Sequence, residues 1–373
     1  MLNFKIIQKM ETMTKQPLEA LVEKLEKRNT MKRDFIVPSS KMHWANGDLC
    51  INTTETDAMI FKPTELFETQ IADKLGIPNP YFRKMKSLHP DLLQQNVNGW
   101  LAKNPRKNYM VRTYENETEN TGRAFLSNSY NIIDDYEVLF AALEAIKQTG
   151  VKVKINTADV TENRLYLSVT CPEIEVQAEE FLKGYLKENE AAGNGIISGF
   201  IITNSEVGKG AFEIRPRAVI CKCNNGLIVK DERFRRVHLG SKLDAGEIVW
   251  SDRTRAKNRD LIVSQVSDAV KTYLSADYLG VMIEKIAQLK EIELKYPIDA
   301  VQNVCKTLGV GEEDKSEILK YFLEDGDHRA SGILNAVTRQ TQKMDLDLAF
   351  EIEGNVVDLM FKHKSYDKPF SKN

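Results

Sequence analysis

The chain of 373 residues has no apolar run approaching the roughly 20 residues that a helix needs to cross a bilayer. Its opening, MLNFKIIQKMETMTKQ, lacks the apolar stretch and small-residue cleavage site of a secretory signal. Both absences lead to the expectation of an intracellular, cytoplasmic protein with no membrane partner. Cysteine is scarce: Cys50, Cys171, Cys221, Cys223 and Cys305 form an odd, scattered set of five, which argues against a disulfide framework and for reduced thiols. Net charge is also nearly absent, at −2, so the chain taken whole offers little to a polyanion. The familiar catalytic signatures are missing. There is no Gly-x-Ser-x-Gly elbow, no His-Glu-x-x-His helix, no phosphate loop ending in Gly-Lys-Ser or Gly-Lys-Thr, and no dinucleotide fingerprint. GVGEEDK, around Gly309 and Gly311, lacks a third glycine and a preceding strand, and reads as a turn between helices. No enzyme class and no cofactor is therefore expected.

What is present is an ordinary globular composition, 42% hydrophobic and 28% charged, in a length that allows two or three domains. Residues 1–105 read as mainly helical. Leu18, Leu21, Val22 and Leu25 recur at helical spacing, and Asn46-Gly47 between apolar stretches signals a hairpin. In KPTELFETQIADKLGIPNPYFRKM the residues Leu66, Ile71 and Leu75 share a face, Gly76 ends a helix and Pro80 opens the next. This pair resembles half of a helix-turn-helix, with Ala72, Gly76 and Phe82 around the turn. Pro78 and Pro80 would crowd a reading helix, so packing is the expected role.

Residues 106–240 form the expected α+β sheet core. Strand patterns in NYMVRTYEN, TGRAFLSNSYNII, KVKINTADV, RLYLSVTCPEIEVQ, GIISGFIITNSEVG and AFEIRPRAVICKC surround one helix, which starts at Asp134 or Asp135 and closes at Gly150. A hairpin-helix-hairpin order argues for an antiparallel sheet with packed helices. Residues 241–361 return to helical periodicity, with Ser275 as a cap, and a polar tail of a commonly disordered kind occupies 362–373.

The charge is not evenly spread. Residues 215–259 hold twelve Lys or Arg against five acids, a local +7 in a chain of net −2. In AFEIRPRAVICKC, Phe212, Ile214, Ala218 and Ile220 share the face expected to meet the core, so Arg215 and Arg217 project from the other. Arg233, Arg235 and Arg236 follow, then Arg253, Arg255, Lys257 and Arg259 at the start of a helix. Arginine offers a planar fork of donors suited to phosphate oxygens, and Phe234 and Trp250 in the same region could stack bases. The competing reading is that these cations meet the chain's own surplus acids across an internal interface.

Cys221 and Cys223 point to one strand face with His238 as the nearest further ligand, a set too small for zinc, so they read as buried thiols. Asp134 with Asp135, and Asp345 with Asp347, are acidic pairs that could bind magnesium; in polar caps they read as solvated turns.

Three stretches in order, GRAFLSNSYNIIDDYEVL, GFIITNSEVGKGAFEIRPRAVICKCNNGLIV and ASGILNAVTRQTQ, resemble the family called domain of unknown function 932, or phage/plasmid-like protein. QIADKLGIPNPYFRKM is similar to its early helical segment, and the likeness spans roughly residues 61–355. Ser127, Tyr130, Asn225 and Gly226 match its motifs, while the doubled Asn224-Asn225 departs from them. The resemblance implies a gene of a phage, prophage or plasmid and assigns no catalytic residue. In outline, an α+β sheet with a basic, aromatic-bearing strand-helix junction is also similar to phage single-strand annealing recombinases. The expectation is a non-enzymatic nucleic-acid-binding protein of a mobile element, handling single-stranded DNA in recombination or replication, with a homo-oligomer or a host protein as further partners. The alternatives are an interaction or assembly factor meeting an acidic protein, and a metal-dependent nuclease using Asp134 and Asp135.

Overall fold

The computed structural model describes residues 15–52, 54, 57–177, 195–220, 226–228, 235–236, 246–247 and 251–371. Helix α1 (Lys15–Met31) buries Leu18, Leu21, Val22 and Leu25 and runs directly into strand β1 (Lys32–Pro38). Strands β2 (Met42–Ala45) and β3 (Asp48–Asn52) form the hairpin signalled by Asn46-Gly47. Asn46 and Gly47 adopt φ of 53° and 91°, the left-handed values that a two-residue type I′ turn requires. After β4 (Ala58–Pro63) come three helices, α2 (Glu65–Leu75), α3 (Asn79–Leu88) and α4 (Pro90–Lys103). Thr64 caps α2 by accepting the Phe67 amide at 3.2 Å, and Gly76 closes it at φ 73°. Strands β5 (Asn108–Tyr114) and β6 (Thr121–Ser127) then pair as a hairpin.

These strands, with the short β13 (Gly246–Glu247), make a seven-stranded sheet in the order β13-β1-β5-β6-β4-β3-β2, mixed because β4 and β6 run parallel. The N-terminal region is thus helical as expected, and it also supplies four strands to a sheet. Their apolar alternation is poor: β1 spends a buried position on Asp34, and β4 buries only Phe61. Helices α2, α3 and α4 cover one face with Phe67, Ile71, Phe82, Met85, Leu93 and Val97. The β2 edge is closed by Asn98 of α4, whose side chain donates to the Trp44 carbonyl (2.9 Å) and accepts the Trp44 amide (2.7 Å).

The second sheet is antiparallel, as the hairpin order implied. It contains β7 (Lys154–Val160), β8 (Leu165–Gln177), β9 (Gly195–Asn204), β10 (Phe212–Ile220) and β11 (Gly226–Ile228) in the order β11-β10-β9-β8-β7, with β12 (Arg235–Arg236) also on β10. Pro216, which has no amide to donate, falls in β10 between the segments paired with β12 and with β11. One face is buried under α1, α5 (Asp135–Thr149) and α6 (Asp252–Tyr273), through Val138, Leu139, Ile146, Ile262 and Val266 among others. Helices α7 (Ala276–Ala287), α8 (Pro297–Leu308), α9 (Glu312–Asp325), α10 (Ala330–Thr341) and α11 (Leu346–Met360) build a further core. The polar tail packs onto it as far as residue 371: the Tyr366 hydroxyl donates to the Met360 carbonyl at 2.8 Å, and Asp367 accepts the amides of Lys295 and Tyr296.

The two sheets meet at a buried ionic knot. Asp34 of β1 lies opposite Arg112 of β5, and the two form a bidentate pair, Nε–Oδ1 2.8 Å and Nη2–Oδ2 3.0 Å. The Arg112 guanidinium has no exposed surface and also donates to Asp134 Oδ1 (2.8 Å) and to the Glu206 carbonyl (2.7 Å). Lys32 donates to the other Asp134 oxygen at 2.5 Å. The β5–β6 register shifts at Arg112/Thr113, a bulge at Arg123, and Arg123 reaches Glu206 Oε2 at 2.6 Å. Glu206 Oε1 accepts the Asp135 amide (2.8 Å), and Asn204 donates to Asp135 Oδ1 (2.7 Å).

Asp134 and Asp135, expected in a solvated cap, are therefore buried, and their carboxyls are shifted in opposite directions. Burial alone would push Asp134 up, but Lys32 and Arg112 outweigh it and hold that carboxyl well below the usual range. Burial and the nearby Glu206 carboxylate push Asp135 well above it. The signs of linkage are opposite. Asp134 stabilises the fold above its unfolded pKa, and that contribution is lost as pH falls through its depressed folded value. Folded Asp135 holds its proton more tightly than the unfolded chain does, so stability declines as pH rises above about 4. Urea unfolding across pH should show Asp135→Asn flattening that decline, whereas Asp134→Asn, which leaves Lys32 without its carboxylate and Arg112 with Asp34 alone, should cost about 3 kcal/mol at neutral pH.

Candidate nucleic-acid interface

Strand parity sets the site. Phe212 and Ile214 of β10 are fully buried against α5 and α6, and Arg215 and Arg217 emerge on the opposite face. That face is not open. Helix α11 lies across it, its Phe350 packing with Tyr166, Ile201 and Ile228, and Asp347 anchors its first turn by accepting from Tyr166 Oη (2.5 Å) and Asn163 (2.7 Å). Asp345, the other member of that acidic pair, caps α11 by accepting the Asp347 amide at 2.9 Å.

Two small clefts of about 210 and 190 Å³ remain between α11 and the sheet, and each takes one of the two arginines. Arg215 pairs with Glu213 and lies over the Phe350 ring, 4.8 Å from its centroid. Arg164, which the sequence did not single out, approaches the same ring at 5.5 Å and pairs with Glu351 at 3.4 Å. Gly354 of α11 faces the Arg215 guanidinium: a Cβ there would stand 2.5 Å from Arg215 Nη1, so a side chain at this position would displace the arginine tip. Arg217 donates to Ser168 Oγ (2.8 Å) and sits 3.9 Å from Glu353. Burial pushes the Glu353 carboxyl up, while Arg217 and the bond from Thr341 pull it the other way. Arg215 and Arg217 thus meet the chain's own acids, the competing reading of the sequence.

The rest of the basic segment behaves differently. Arg253, Lys257 and Arg259 are exposed in the first turns of α6, and none forms an ion pair among the described residues. Ser251 caps that helix, its hydroxyl accepting the Thr254 amide at 3.3 Å. Arg255 lies in the same turns, with its side chain outside the description, as are those of Arg235 and Arg236 on β12. Arg233, Phe234 and Trp250 lie outside the described residues, as do Cys221, Cys223 and His238. Cations at a helix N-terminus oppose the macrodipole, each at a cost of about 0.3–1 kcal/mol. Asp252 opens the same turn, and Arg253, Lys257 and Arg259, without ion pairs among the described residues, add positive potential to the end of the helix where an anion is favoured. Among the described residues no group of three His, Cys, Asp or Glu side chains stands close enough to share a metal ion.

No protein-family model, no curated protein and no solved structure matches this chain.

The two kinds of arginine should separate in mutagenesis. Arg217→Ala leaves Glu353 without its cation and should lower urea-unfolding stability by about 3 kcal/mol. Arg253→Ala should change it by less than about 0.5 kcal/mol, with any effect in the stabilising direction.

Proposed function

We propose that this chain binds nucleic acid, single strands in preference, through the basic N-terminal turns of α6. The observation that carries the reading is the exposed set Arg253, Lys257 and Arg259 at the start of α6, without ion pairs among the described residues, with Arg253 in the first turn where the helix dipole disfavours a cation. A phosphate backbone would relieve that repulsion and could meet first-turn amides of α6 other than that of Thr254, which Ser251 already caps. Arg255, Arg235 and Arg236 belong to the same stretch of sequence and extend the contact set. Arg215 and Arg217 do not, because their charges are met beneath α11. Preference for single strands rests on Phe234 and Trp250 as stacking rings, and a role in recombination or replication of a mobile element rests on the motif likeness alone.

Fluorescence anisotropy with a labelled single-stranded oligonucleotide, titrated with salt, tests the reading. Six cations on phosphates would give a log–log slope of about −4, and the variant Arg253→Ala/Lys257→Ala/Arg259→Ala should reduce its magnitude by about 2. An unchanged slope in that variant removes α6 from the interface, and no binding by the wild type at low salt ends the proposal.

A further inference from the structure

A second cationic surface lies elsewhere in the molecule. Between residues 81 and 107 there are six Lys or Arg residues, Arg83, Lys84, Lys86, Lys103, Arg106 and Lys107, and one acid, Asp91; from outside that stretch Glu65 and Glu68 of α2 line a cleft with Arg83 and Lys86. All six are exposed, on α3, on α4 and on the turn that follows it. Lys86 is engaged by Glu68 at 2.6 Å, whereas Arg83, Lys84 and Arg106 have no ion pair among the described residues. Large side chains stand among them: Tyr81, Leu88 and Trp100 are 45%, 61% and 40% exposed. Lys103 holds its ammonium 4.6 Å from the Trp100 centroid.

The apolar faces of both helices are already consumed, Phe82 and Met85 of α3 and Leu93, Val97 and Leu101 of α4 being buried in the core. The exposed stripes alternate. Tyr81, Lys84 and Leu88 follow one another along α3, and Leu92, Asn96, Trp100 and Lys103 along α4. A membrane-surface helix needs a continuous apolar face, which neither helix has to spare. A single nucleic-acid strand presents phosphates and ring faces in alternation, and interleaved cations and aromatic rings complement that order.

We propose that the α3–α4 corner is a second contact surface for single-stranded nucleic acid, with Trp100 and Tyr81 stacking on bases and Arg83, Lys84 and Arg106 on phosphates. The inference rests on the nucleic-acid reading above but does not require α6 to take part.

Tryptophan emission gives a local readout, because the chain has three tryptophans and Trp44 is buried. Oligo(dT) should quench the emission of the full chain. Trp100→Phe should remove a distinct part of that quenching and weaken binding, read by anisotropy, at least about fivefold. Arg83→Ala/Lys84→Ala/Arg106→Ala should reduce the salt slope by about 2. If both variants bind and quench like the wild type while Arg253→Ala/Lys257→Ala/Arg259→Ala loses affinity, this surface is not a contact and the α6 reading stands. If the wild type binds no oligonucleotide, both fall. A blue shift with phosphatidylserine vesicles and no response to oligo(dT) overturns the inference in favour of a membrane surface.

Discussion

A guanidinium with no exposed surface must have its charge met inside the protein, and the join between the two sheets is built around that requirement at Arg112. The groups that meet it come from β1, from the N-terminus of α5 and from the turn after β9. None can move without exposing a buried charge. The network therefore fixes the relative position of the sheets more tightly than apolar contact could, since apolar contact is indifferent to direction. The same network shifts Asp134 and Asp135 in opposite directions: one faces two cations, the other faces a carboxylate and an amide. An acidic pair used in this way is not arranged as an open magnesium site.

The basic residues of the chain divide by the same criterion. Arg164, Arg215 and Arg217 lie between the second sheet and α11, where Glu213, Glu351 and Glu353 meet their charge and Phe350 packs against two of them. They hold the helix to the sheet. Arg253, Lys257 and Arg259, and separately Arg83, Lys84 and Arg106, have exposed side chains without ion pairs among the described residues. Of these two groups only the second has charge to offer to a phosphate backbone, on exposed helix surfaces and not on β10.

Much of the fold was legible. The β5–β6 hairpin, the closure of α5 at Gly150, the antiparallel pairs β7–β8 and β9–β10, and the Ser275 cap all follow from local periodicity and turn chemistry. Strands β1 and β4 were not, because a buried Asp34 and a lone buried Phe61 break the alternation that marks a strand. The partners of Arg112 lie 78 and 22 residues away in sequence, so nothing local could show that Asp134 would be buried beside it. Parity placed Arg215 and Arg217 opposite Phe212 and Ile214, yet it could not show that α11 covers that face. The α3–α4 stretch carries a sequence signal of its own, six cations to one acid, but the residues that separate them hide it from a local charge count.

The central claim is that nucleic acid meets exposed helix surfaces and not the sheet beneath α11. Hydrogen–deuterium exchange of the full chain with and without a single-stranded oligonucleotide tests it most directly. The account predicts slowed exchange in residues 252–260 and 81–107 with β10 and α11 unchanged. Protection confined to β10 and α11, or none at an oligonucleotide concentration that saturates anisotropy, would contradict it.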